Sequence, residues 1–151
     1  MSNLHTLRLN VSSTLVVASR RWRRTIQGAL AAYNVSEACA APLLIVGRLG
    51  EAVRQVALAE HVGIEGPSLV RLLDQLCAAG LVRRDEDPDD RRAKTISLTE
   101  TGLAVTEKME GDLRALRERA LKGLTRADLE ATLRVLNAFN ASDAADAAPH
   151  D

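Results

Sequence analysis

Aromatic residues are almost missing from this chain, whose 151 residues include one Trp, one Tyr and one Phe. A core must therefore be built from Leu, Val, Ile and Ala, which favours packed helices. Hydrophobic residues make up 46% and charged residues 26%, which is typical of a soluble globular protein. No apolar run approaches the roughly 20 residues that span a bilayer, and the first residues lack the order of a secretory signal. The sequence thus predicts a cytoplasmic protein without membrane contact.

Cysteine and histidine are also sparse. Cys39 and Cys77 are isolated and lack CxxC spacing, which favours two core thiols in a reducing compartment over a redox pair. His5, His61 and His150 are scattered, so no metal site is predicted. No Ser/His/Asp, Cys/His or paired-carboxylate group can be assembled from the sequence. We therefore expect no catalytic residues, no cofactor and no enzymatic activity.

The net charge is zero, but the two signs are distributed unevenly along the chain. Residues 1–99 carry 13 basic and 10 acidic side chains, whereas residues 100–151 carry 7 basic and 10 acidic ones. The basic excess lies in the part that contains the motifs described below. Such an excess attracts phosphate groups, so the charge distribution is compatible with a nucleic-acid partner although the total is not basic.

Apolar residues recur at three- and four-residue steps near both ends of the chain. They predict a helix over about residues 10–33, a long helix over about 100–122 and a last helix from about Thr125. Trp22 lies among four arginines of the first helix, which is typical of a solvated face with a Trp anchored in the core. A dimer contact or an anionic-ligand pocket is the alternative. The Ala/Asp-rich residues 142–151 are predicted to form a flexible tail.

Three shorter helices are predicted between these. Ser36 is a suitable N-cap for a helix that ends at Gly50. Pro42 lies inside that helix and is expected either to kink it or to mark its effective start. A short helix follows over about residues 53–62. The third covers Pro67–Ala79, with the proline at the first position, where a missing N–H costs nothing.

The spacing within these last two helices is typical of a helix-turn-helix. In that motif the two helices pass close together, so a small residue is needed at the contact, a glycine at the turn and branched apolar residues on the second helix. Ala59, Gly63, Leu69 and Leu72 supply these at the required spacing. Gly63 in particular permits the positive φ that a tight turn often needs.

The second helix of this motif has a polar outer face made of Ser68, Arg71 and Gln75. These side chains suit a major groove of duplex DNA, since Ser bonds a phosphate or base edge, Arg forks onto guanine and Gln pairs with adenine. An ordinary amphipathic helix would show a similar face. The order of helix, turn, polar-faced helix and hairpin favours DNA binding.

A β-hairpin wing is predicted after this helix, from the β-prone stretches at residues 81–84 and 95–98 and the polar segment 85–94 between them. Its basic side chains suit the negative potential of a minor groove; they are Arg91, Arg92 and Lys94. Five acids share the segment: Asp85, Glu86, Asp87, Asp89 and Asp90. One hypothesis is that Asp90 pairs with Arg92 and holds its guanidinium in a fixed pose. The other is a solubilising loop.

At these residues the chain resembles the MarR family of bacterial transcription regulators, and within it the SlyA branch. The stretch GIEGPSLVR at residues 63–71, followed by LDQL at 73–76, is similar to the SlyA recognition helix. The stretch DRRAK at 90–94, followed by LTE at 98–100, looks like the wing of the family and its exit into the fifth helix. The order of helices matches over about residues 10–140.

The resemblance implies a winged helix-turn-helix fold, mainly α with a small β-hairpin wing and with N- and C-terminal dimerisation helices. Residues 1–34 and 100–141 would form the dimerisation region, and residues 35–99 the DNA-binding lobe. A homodimer of this kind places two reading helices on successive major grooves of a pseudo-palindrome. The predicted dimerisation residues are Leu15, Trp22, Leu113, Leu116, Leu133 and Leu136.

Matching positions carry family roles onto individual residues. Pro67, Ser68 and Arg71 fall on the reading helix, Arg92 on the wing arginine of the minor groove, and Asp90 on its acidic partner. Many members of the family release DNA when a small phenolic or aromatic acid binds between the dimer helices and the DNA-binding lobe. The residues predicted by analogy to line such an effector pocket are Trp22, Arg20 and Arg21.

The resulting prediction is a dimeric, ligand-responsive repressor, located in the bacterial cytoplasm and associated with the nucleoid when it is bound to DNA. Two hypotheses compete with it. One is a winged-helix module that binds protein instead of DNA, which would be expected to lack Arg71 and Arg92. The other is a thiol redox sensor that uses Cys39 or Cys77. The peroxide-sensing branch of the family carries a reactive cysteine near the start of its first helix, and this chain has none there.

Overall fold

The computed structural model describes residues 3–146, and the side chains of residues 3–142. Six α-helices and three short strands make up this part of the chain. In chain order they are α1 (Leu4–Leu30), α2 (Glu37–Leu49), β1 (Val53–Arg54), α3 (Gln55–Val62), α4 (Gly66–Ala78), β2 (Val82–Glu86), β3 (Lys94–Leu98), α5 (Glu100–Ala120) and α6 (Arg126–Asp146). The predicted mainly helical fold with a small β-hairpin is confirmed.

The first helix begins earlier and ends earlier than its apolar spacing predicts. Asn3 caps it, because the side-chain oxygen of Asn3 accepts a hydrogen bond from the His5 main-chain N–H at 3.1 Å. At the other end α1 gives way to a 3₁₀ turn over Ala31–Tyr33, and Asn34 then adopts a left-handed φ of 56°. The predicted range of 10–33 is therefore wrong at both ends, since the polar cap and not the apolar stripe determines the start.

Pro42 does not mark the start of the helix, because α2 begins at Glu37 and runs through it. The side chain of Ser36 accepts a hydrogen bond from the Cys39 main-chain N–H at 3.2 Å, as predicted for an N-cap. A proline this close to the start removes only the hydrogen bond that would have reached back to the first turn. Gly50 ends the helix with a φ of 72°, and this prediction is also confirmed.

The helix-turn-helix forms as its spacing predicts. Gly63 has a φ of 76° and its N–H donates to the Ala59 carbonyl oxygen at 2.9 Å, which closes α3 before α4 begins. The structure differs at the start of α3, because Val53 and Arg54 form strand β1 and do not belong to the helix. Helix α4 covers Gly66–Ala78, one residue earlier at each end than predicted.

A three-stranded antiparallel sheet has the order β1-β3-β2. Ile96 is its central residue, since it pairs with Val53 on one side and with Arg84 on the other, and it is fully buried. The two longer strands form the predicted hairpin but extend further towards its tip, to Glu86 and back from Lys94. We call the connecting residues 87–93 the wing loop.

The core between α2, α3 and α4 is built largely from leucines, as the scarcity of aromatic residues predicts. Leu43 on α2, Leu58 on α3 and Leu69 and Leu73 on α4 are all 0% exposed. Burying one such side chain contributes roughly 1.5–3 kcal/mol. These residues fix the crossing of the three helices and thereby the orientation of α4.

Helix α5 starts against the base of the wing. The hydroxyl of Thr99 donates to the Gly80 carbonyl oxygen at 2.6 Å and accepts the Gly102 main-chain N–H at 3.0 Å, which confirms Thr99 as the cap. Gly102 packs so closely that a Cβ there would lie 1.9 Å from the Leu81 carbonyl oxygen. Only glycine fits at this contact, which packs the start of α5 against Leu81 at the base of the wing.

The chain divides into two compact units, Met1–Arg114 and Ala115–Asp151. The predicted division at residues 34 and 100, into a dimerisation region and a DNA-binding lobe, stays a prediction; α1 and the first part of α5 pack on α2 within the first unit. Helix α6 continues to Asp146, so residues 142–146 of the predicted tail are helical, and 147–151 lie outside the described residues.

Within residues 3–146 no single helix has the length and apolar composition to cross a membrane; α1 and α2 reach that composition only as a pair bent by 80°.

Candidate nucleic-acid interface

The side of α4 opposite its buried leucines carries the predicted reading residues. Pro67, Ser68 and Arg71 are all exposed there. The Arg71 side chain has no hydrogen bond or ion pair to any residue that the structure describes. A guanidinium has five N–H donors in a planar fork, so Arg71 presents a full set of donors to a base edge or a phosphate.

Both flanks of α4 are fixed by side-chain hydrogen bonds. On one flank, Nη1 and Nη2 of Arg84 on β2 donate to Asp74 Oδ1, each at 3.0 Å. On the other, the Cys39 thiol of α2 donates to Gln75 Oε1 at 3.3 Å. Gln75 Oε1 thus contacts α2, and the pairing of Gln75 with adenine stays a prediction. Pro67, Ser68 and Arg71 lie in the first two turns of α4.

The N-termini of α3 and α4 have no side-chain cap and no acidic residue in the first turn. Helices α1 and α2 in the same unit are capped, by Asn3 and by Ser36. The first N–H groups of a helix have no partner within the helix, and its dipole favours a negative charge near them. The helix-turn-helix therefore offers donors at two helix starts, where a phosphate oxygen is a suitable acceptor.

Asp87 organises the wing loop. It is 7% exposed although four other acids surround it in sequence. Its Oδ2 accepts from Arg54 Nε at 2.7 Å, and its Oδ1 accepts from the Asp89 main-chain N–H at 2.8 Å. The Asp89 N–H bond and the Arg54 guanidinium hold the pKa of the Asp87 carboxyl below its ordinary value.

The predicted ion pair between Asp90 and the Arg92 guanidinium is wrong in its geometry. Asp90 Oδ1 instead accepts a hydrogen bond from the Arg92 main-chain N–H at 3.0 Å. An aspartate often bonds the N–H two residues later in a turn, and here this leaves the guanidinium without a partner in the described part of the chain. Asp90 shapes the loop, while the Arg92 and Arg91 side chains are exposed.

A cleft of about 500 Å³ separates α3 from the wing. Its lining residues are Arg54, Gln55, Val56, Ala57, Glu60, Asp90, Arg92, Ala93 and Lys94. Three cations and two carboxylates face it, so the cleft is basic only by a small margin. Lys94 also lies 3.7 Å from Glu86, measured from Nζ to Oε1. Hereafter this space is called the wing cleft.

Four residues of this interface carry no prediction from the sequence: Arg54, Asp74, Arg84 and Asp87. The pairs Arg54–Asp87 and Asp74–Arg84 join residues that are 33 and 10 positions apart. One indication of such pairs is present in the sequence: the many acidic residues of the wing loop imply cationic partners, but they do not show which residues those are. The pairs became identifiable once the strands were in register.

The effector pocket predicted around Trp22, Arg20 and Arg21 stays a prediction. Trp22 is half-buried, and Arg20 and Arg21 are exposed. A cavity of about 400 Å³ lies between α2 and the C-terminal half of α4. Its lining residues include Tyr33, Ser36, Cys39, Gln75 and Leu76. A hydrogen bond to Asp112 raises the pKa of the Tyr33 phenol.

Cys39 and Cys77 are both free thiols; Cys39 is buried and Cys77 is half-buried. The prediction that both thiols belong to the core holds for Cys39 and in part for Cys77. Among the described residues no group of His, Cys, Asp or Glu is arranged to hold a metal ion.

The predicted dimerisation residues differ in how much surface they expose. Leu113 is 3% exposed, so it is a core residue of its own unit and has little side chain left for a partner. Leu15, Trp22, Leu116 and Leu136 are half-buried. Leu133 is 58% exposed, as expected for a residue that packs on another chain.

Comparison with known proteins gives one consistent result. A model of the MarR family matches residues 33–93. The solved structure of the transcriptional regulator PA3341 is 34% identical, with a TM-score of 0.78 over 87% of this chain and 96% of that one. MepR of S. aureus, in its DNA-binding conformation, has a TM-score of 0.79 at 20% identity over 87% and 97% of the two chains. A cysteine-to-serine mutant of E. coli MarR, complexed with operator DNA, has a TM-score of 0.75 at 22% identity over 91% and 99%.

Proposed function

Because the chain belongs to the MarR family of transcriptional regulators, we propose that it acts as a homodimeric repressor that binds a pseudo-palindromic operator. A small aromatic acid would release it. Membership in the family makes the chain a DNA-binding transcriptional regulator and confirms the prediction that it is not an enzyme. Its place in the SlyA branch, and a bacterial cytoplasmic location with nucleoid association, stay predictions.

The observation that carries the proposal is the free outer face of α4. Pro67, Ser68 and Arg71 project from a helix whose opposite side is fully buried and whose two flanks are bonded to β2 and α2. A helix held this firmly can enter a major groove as a rigid body. Arg71 then reads guanine with a bidentate pair, and Ser68 bonds a phosphate or a base edge. The related MarR and MepR structures, with operator DNA and in a DNA-binding conformation, support this docking.

The wing supplies the second contact. Arg91 and Arg92 are exposed at its tip, and the Arg92 main chain is held by Asp90. A minor groove narrowed by A·T pairs has an enhanced negative potential that attracts an inserted arginine. The wing therefore contributes affinity and a preference for groove shape, whereas α4 contributes base recognition.

Exposed apolar side chains support the proposed homodimer. On α1, Leu4, Leu7 and Val11 are 58%, 51% and 37% exposed. In the C-terminal unit, Leu133 and Phe139 of α6 are 58% and 38% exposed. Apolar surface repeated along a helix is typical of a face that packs on another chain. Sedimentation equilibrium tests this directly: a dimer is expected, and a monomer at micromolar concentration would contradict the proposal.

The cavity between α2 and α4 supports the proposed response to a ligand. Gln75 and Leu76 of α4 form part of its wall, and the Tyr33 hydroxyl and the Ser36 side chain provide polar groups. A ligand that binds better when α4 is displaced shifts the population away from the DNA-binding state. Benzoate and salicylate are suitable probes. They are expected to weaken DNA binding in wild type, and to do so less in a Gln75→Ala variant.

A thiol-dependent response is the second candidate, favoured by the Cys39–Gln75 hydrogen bond. A Cys39→Ser variant that loses an oxidant response of DNA binding would support it, with Cys77→Ser as the matched control. A protein-binding module without DNA contact is disfavoured, because Arg71 and Arg92 are present, exposed and without partners in residues 3–146.

The operator can be found with the protein itself, by selection from a random-sequence duplex library. We expect an enriched pseudo-palindrome whose half-sites lie about one helical turn apart, 10–10.5 base pairs. Fluorescence anisotropy then compares the selected duplex with a scrambled one of the same composition. No enrichment, or equal affinity for the two duplexes at several salt concentrations, would refute the proposed function.

A further inference from the structure

Asp87 is a buried acid beside a surface that is proposed to face DNA. A carboxylate there would be expected to repel phosphates. Yet Asp87 is bonded from several sides: Arg54 and the Asp89 N–H donate to its side chain, while its main-chain N–H donates to the Ala93 carbonyl oxygen at 3.0 Å. The Asp90 N–H reaches the Asp87 carbonyl oxygen at 3.3 Å. The wing loop is thus a turn built around this one residue.

Arg54 is the cation that Asp87 holds. It lies at the end of β1, directly before α3, and pairs with Thr95 of β3 in the sheet. Its side chain is 54% exposed and lines the wing cleft with Arg92 and Lys94. The contact to Asp87 uses Nε alone. The four N–H donors on the two terminal nitrogens have no partner among residues 3–146.

We infer that Arg54 binds the phosphodiester backbone of the operator at the wing cleft, and that Asp87 is the residue that positions it. The inference rests on the proposed function, since it names a further contact of the same DNA. An arginine fixed through Nε keeps its terminal fork free and loses less freedom when it meets a phosphate. Arg92 and Lys94 lie in the same cleft and add positive charge beside Arg54. Asp87 therefore promotes the binding of an anion although it is itself negative.

The positioning role of Asp87 is tested by whether its substitution raises or lowers the affinity for DNA. Asp87→Asn removes a negative charge from the wing but keeps an amide oxygen that can accept the Asp89 N–H. Asp85→Asn is the matched control, because Asp85 on the same hairpin also bonds an arginine, from Arg83 Nε to Oδ2 at 2.7 Å, and both side chains are exposed. Bulk electrostatics predicts that both variants bind DNA more tightly. We expect Asp87→Asn to bind several-fold more weakly, and Asp85→Asn to bind at least as tightly as wild type.

A second pair of variants tests the contact of Arg54 itself. Each phosphate contact contributes about 0.9 to the slope of log affinity against log salt. Arg54→Ala should make the slope shallower by about 0.9 and weaken binding roughly five- to tenfold at 0.1 M salt. Arg126→Ala is the matched control, because Arg126 on α6 bonds a carboxylate through Nε at the same distance, 2.7 Å. It should leave the slope unchanged.

The double variant separates positioning from a general loss of structure. If Asp87 acts through Arg54, then Asp87→Asn with Arg54→Ala should bind as weakly as Arg54→Ala alone. Additive losses would indicate that Asp87 supports the fold by another route and would overturn its positioning role. Arg54 is more than half exposed, so its variants remain informative even if Asp87→Asn unfolds the wing.

The experiments use the full chain and the selected duplex, with affinity measured by anisotropy between 50 and 300 mM salt, roughly the range over which the counterion effect is large. If wild type shows no preference for the selected duplex over the scrambled one, the proposed function fails. If wild type shows that preference and Arg71→Ala loses it, the proposed function stands. In that case the inference about Arg54 and Asp87 is overturned if Asp87→Asn binds as tightly as wild type, or if Arg54→Ala keeps the full salt slope.

Discussion

Helix α4 and the wing present similar cations but are supported by different forces. Helix α4 rests on Leu69, Leu73 and Leu76, which are 0%, 0% and 2% exposed. The wing tip has no apolar support of this kind, and its loop is held by hydrogen bonds around Asp87. Apolar packing does not depend on the ionisation of a side chain, whereas hydrogen bonds to a carboxylate do. The two proposed DNA contacts should therefore respond differently to mutation and to pH.

The largest effect is expected when a buried leucine that supports α4 is shortened. Leu73→Ala should lower the free energy of unfolding by about 2–5 kcal/mol, because it leaves a cavity in a fully buried site. Urea unfolding followed by circular dichroism measures this. Val56→Ala on the neighbouring helix is the control, since Val56 is 74% exposed and its loss should change stability by less than about 0.5 kcal/mol. Equal effects of the two variants would contradict the described core.

The next test acts on the base of the wing. Gly102→Ala places a Cβ 1.9 Å from the Leu81 carbonyl oxygen, so the backbone must shift, at a cost of about 1–3 kcal/mol. Gly111→Ala is the same change in the same helix with nothing within 4 Å of the added Cβ. It should stabilise the protein by about 0.5–1 kcal/mol, because alanine has the higher helix propensity. Opposite signs are expected in thermal unfolding, and equal signs would refute the close contact.

The third test compares the two free arginines. Arg71→Ala should reduce binding to the selected duplex by about 1–3 kcal/mol and relax the base preference at one position of each half-site. Arg92→Ala should weaken binding to both the selected and the scrambled duplex, with the larger loss where the minor groove is narrower, and flatten the salt slope by about one charge. Anisotropy titrations on both duplexes distinguish these patterns. If Arg71→Ala lost affinity equally on both duplexes, α4 would contact phosphates and not bases.

Short-range sequence patterns predicted the bounds of α4 more closely than those of the wing strands. The leucine spacing and the turn at Gly63 are short-range signals, and they located the helix to within one residue at each end. The wing hairpin was predicted less closely, from β-prone stretches at residues 81–84 and 95–98 whose strands in fact cover 82–86 and 94–98. Strand β1 was not predicted, since two residues are too short for a pattern and their partner Ile96 lies far along the chain.

Side-chain partners in the wing could not be predicted from composition. A contact between Asp90 and Arg92 was correctly predicted, but the Asp90 carboxylate bonds the main-chain N–H of Arg92 and not its guanidinium. Charge suggests an ion pair, while a two-residue separation favours a turn, and only the backbone geometry decides between them. The pair Arg54–Asp87 depends on the register of β1 with β3, which is a tertiary property. The proposed reading residues followed from helical periodicity, whereas Arg54 and Asp87 are brought together only by the fold.

The smallest expected effect concerns pH. Because its hydrogen bonds hold the pKa of Asp87 below the unfolded value, the ionised carboxylate stabilises the wing above about pH 4, and this contribution is lost as the pH falls through the lower, folded pKa. The unfolding midpoints of wild type and Asp87→Asn should thus differ at pH 7 and converge in acid. Asp128 gives a matched comparison outside the wing, since the Thr125 hydroxyl and N–H lower its pKa in the same way. Asp128→Asn should show the same convergence in stability but leave the affinity for DNA unchanged at pH 7. A constant gap between wild type and Asp87→Asn from pH 7 to pH 3 would mean that Asp87 contributes by shape alone, and the wing would then resemble α4 in its insensitivity to ionisation.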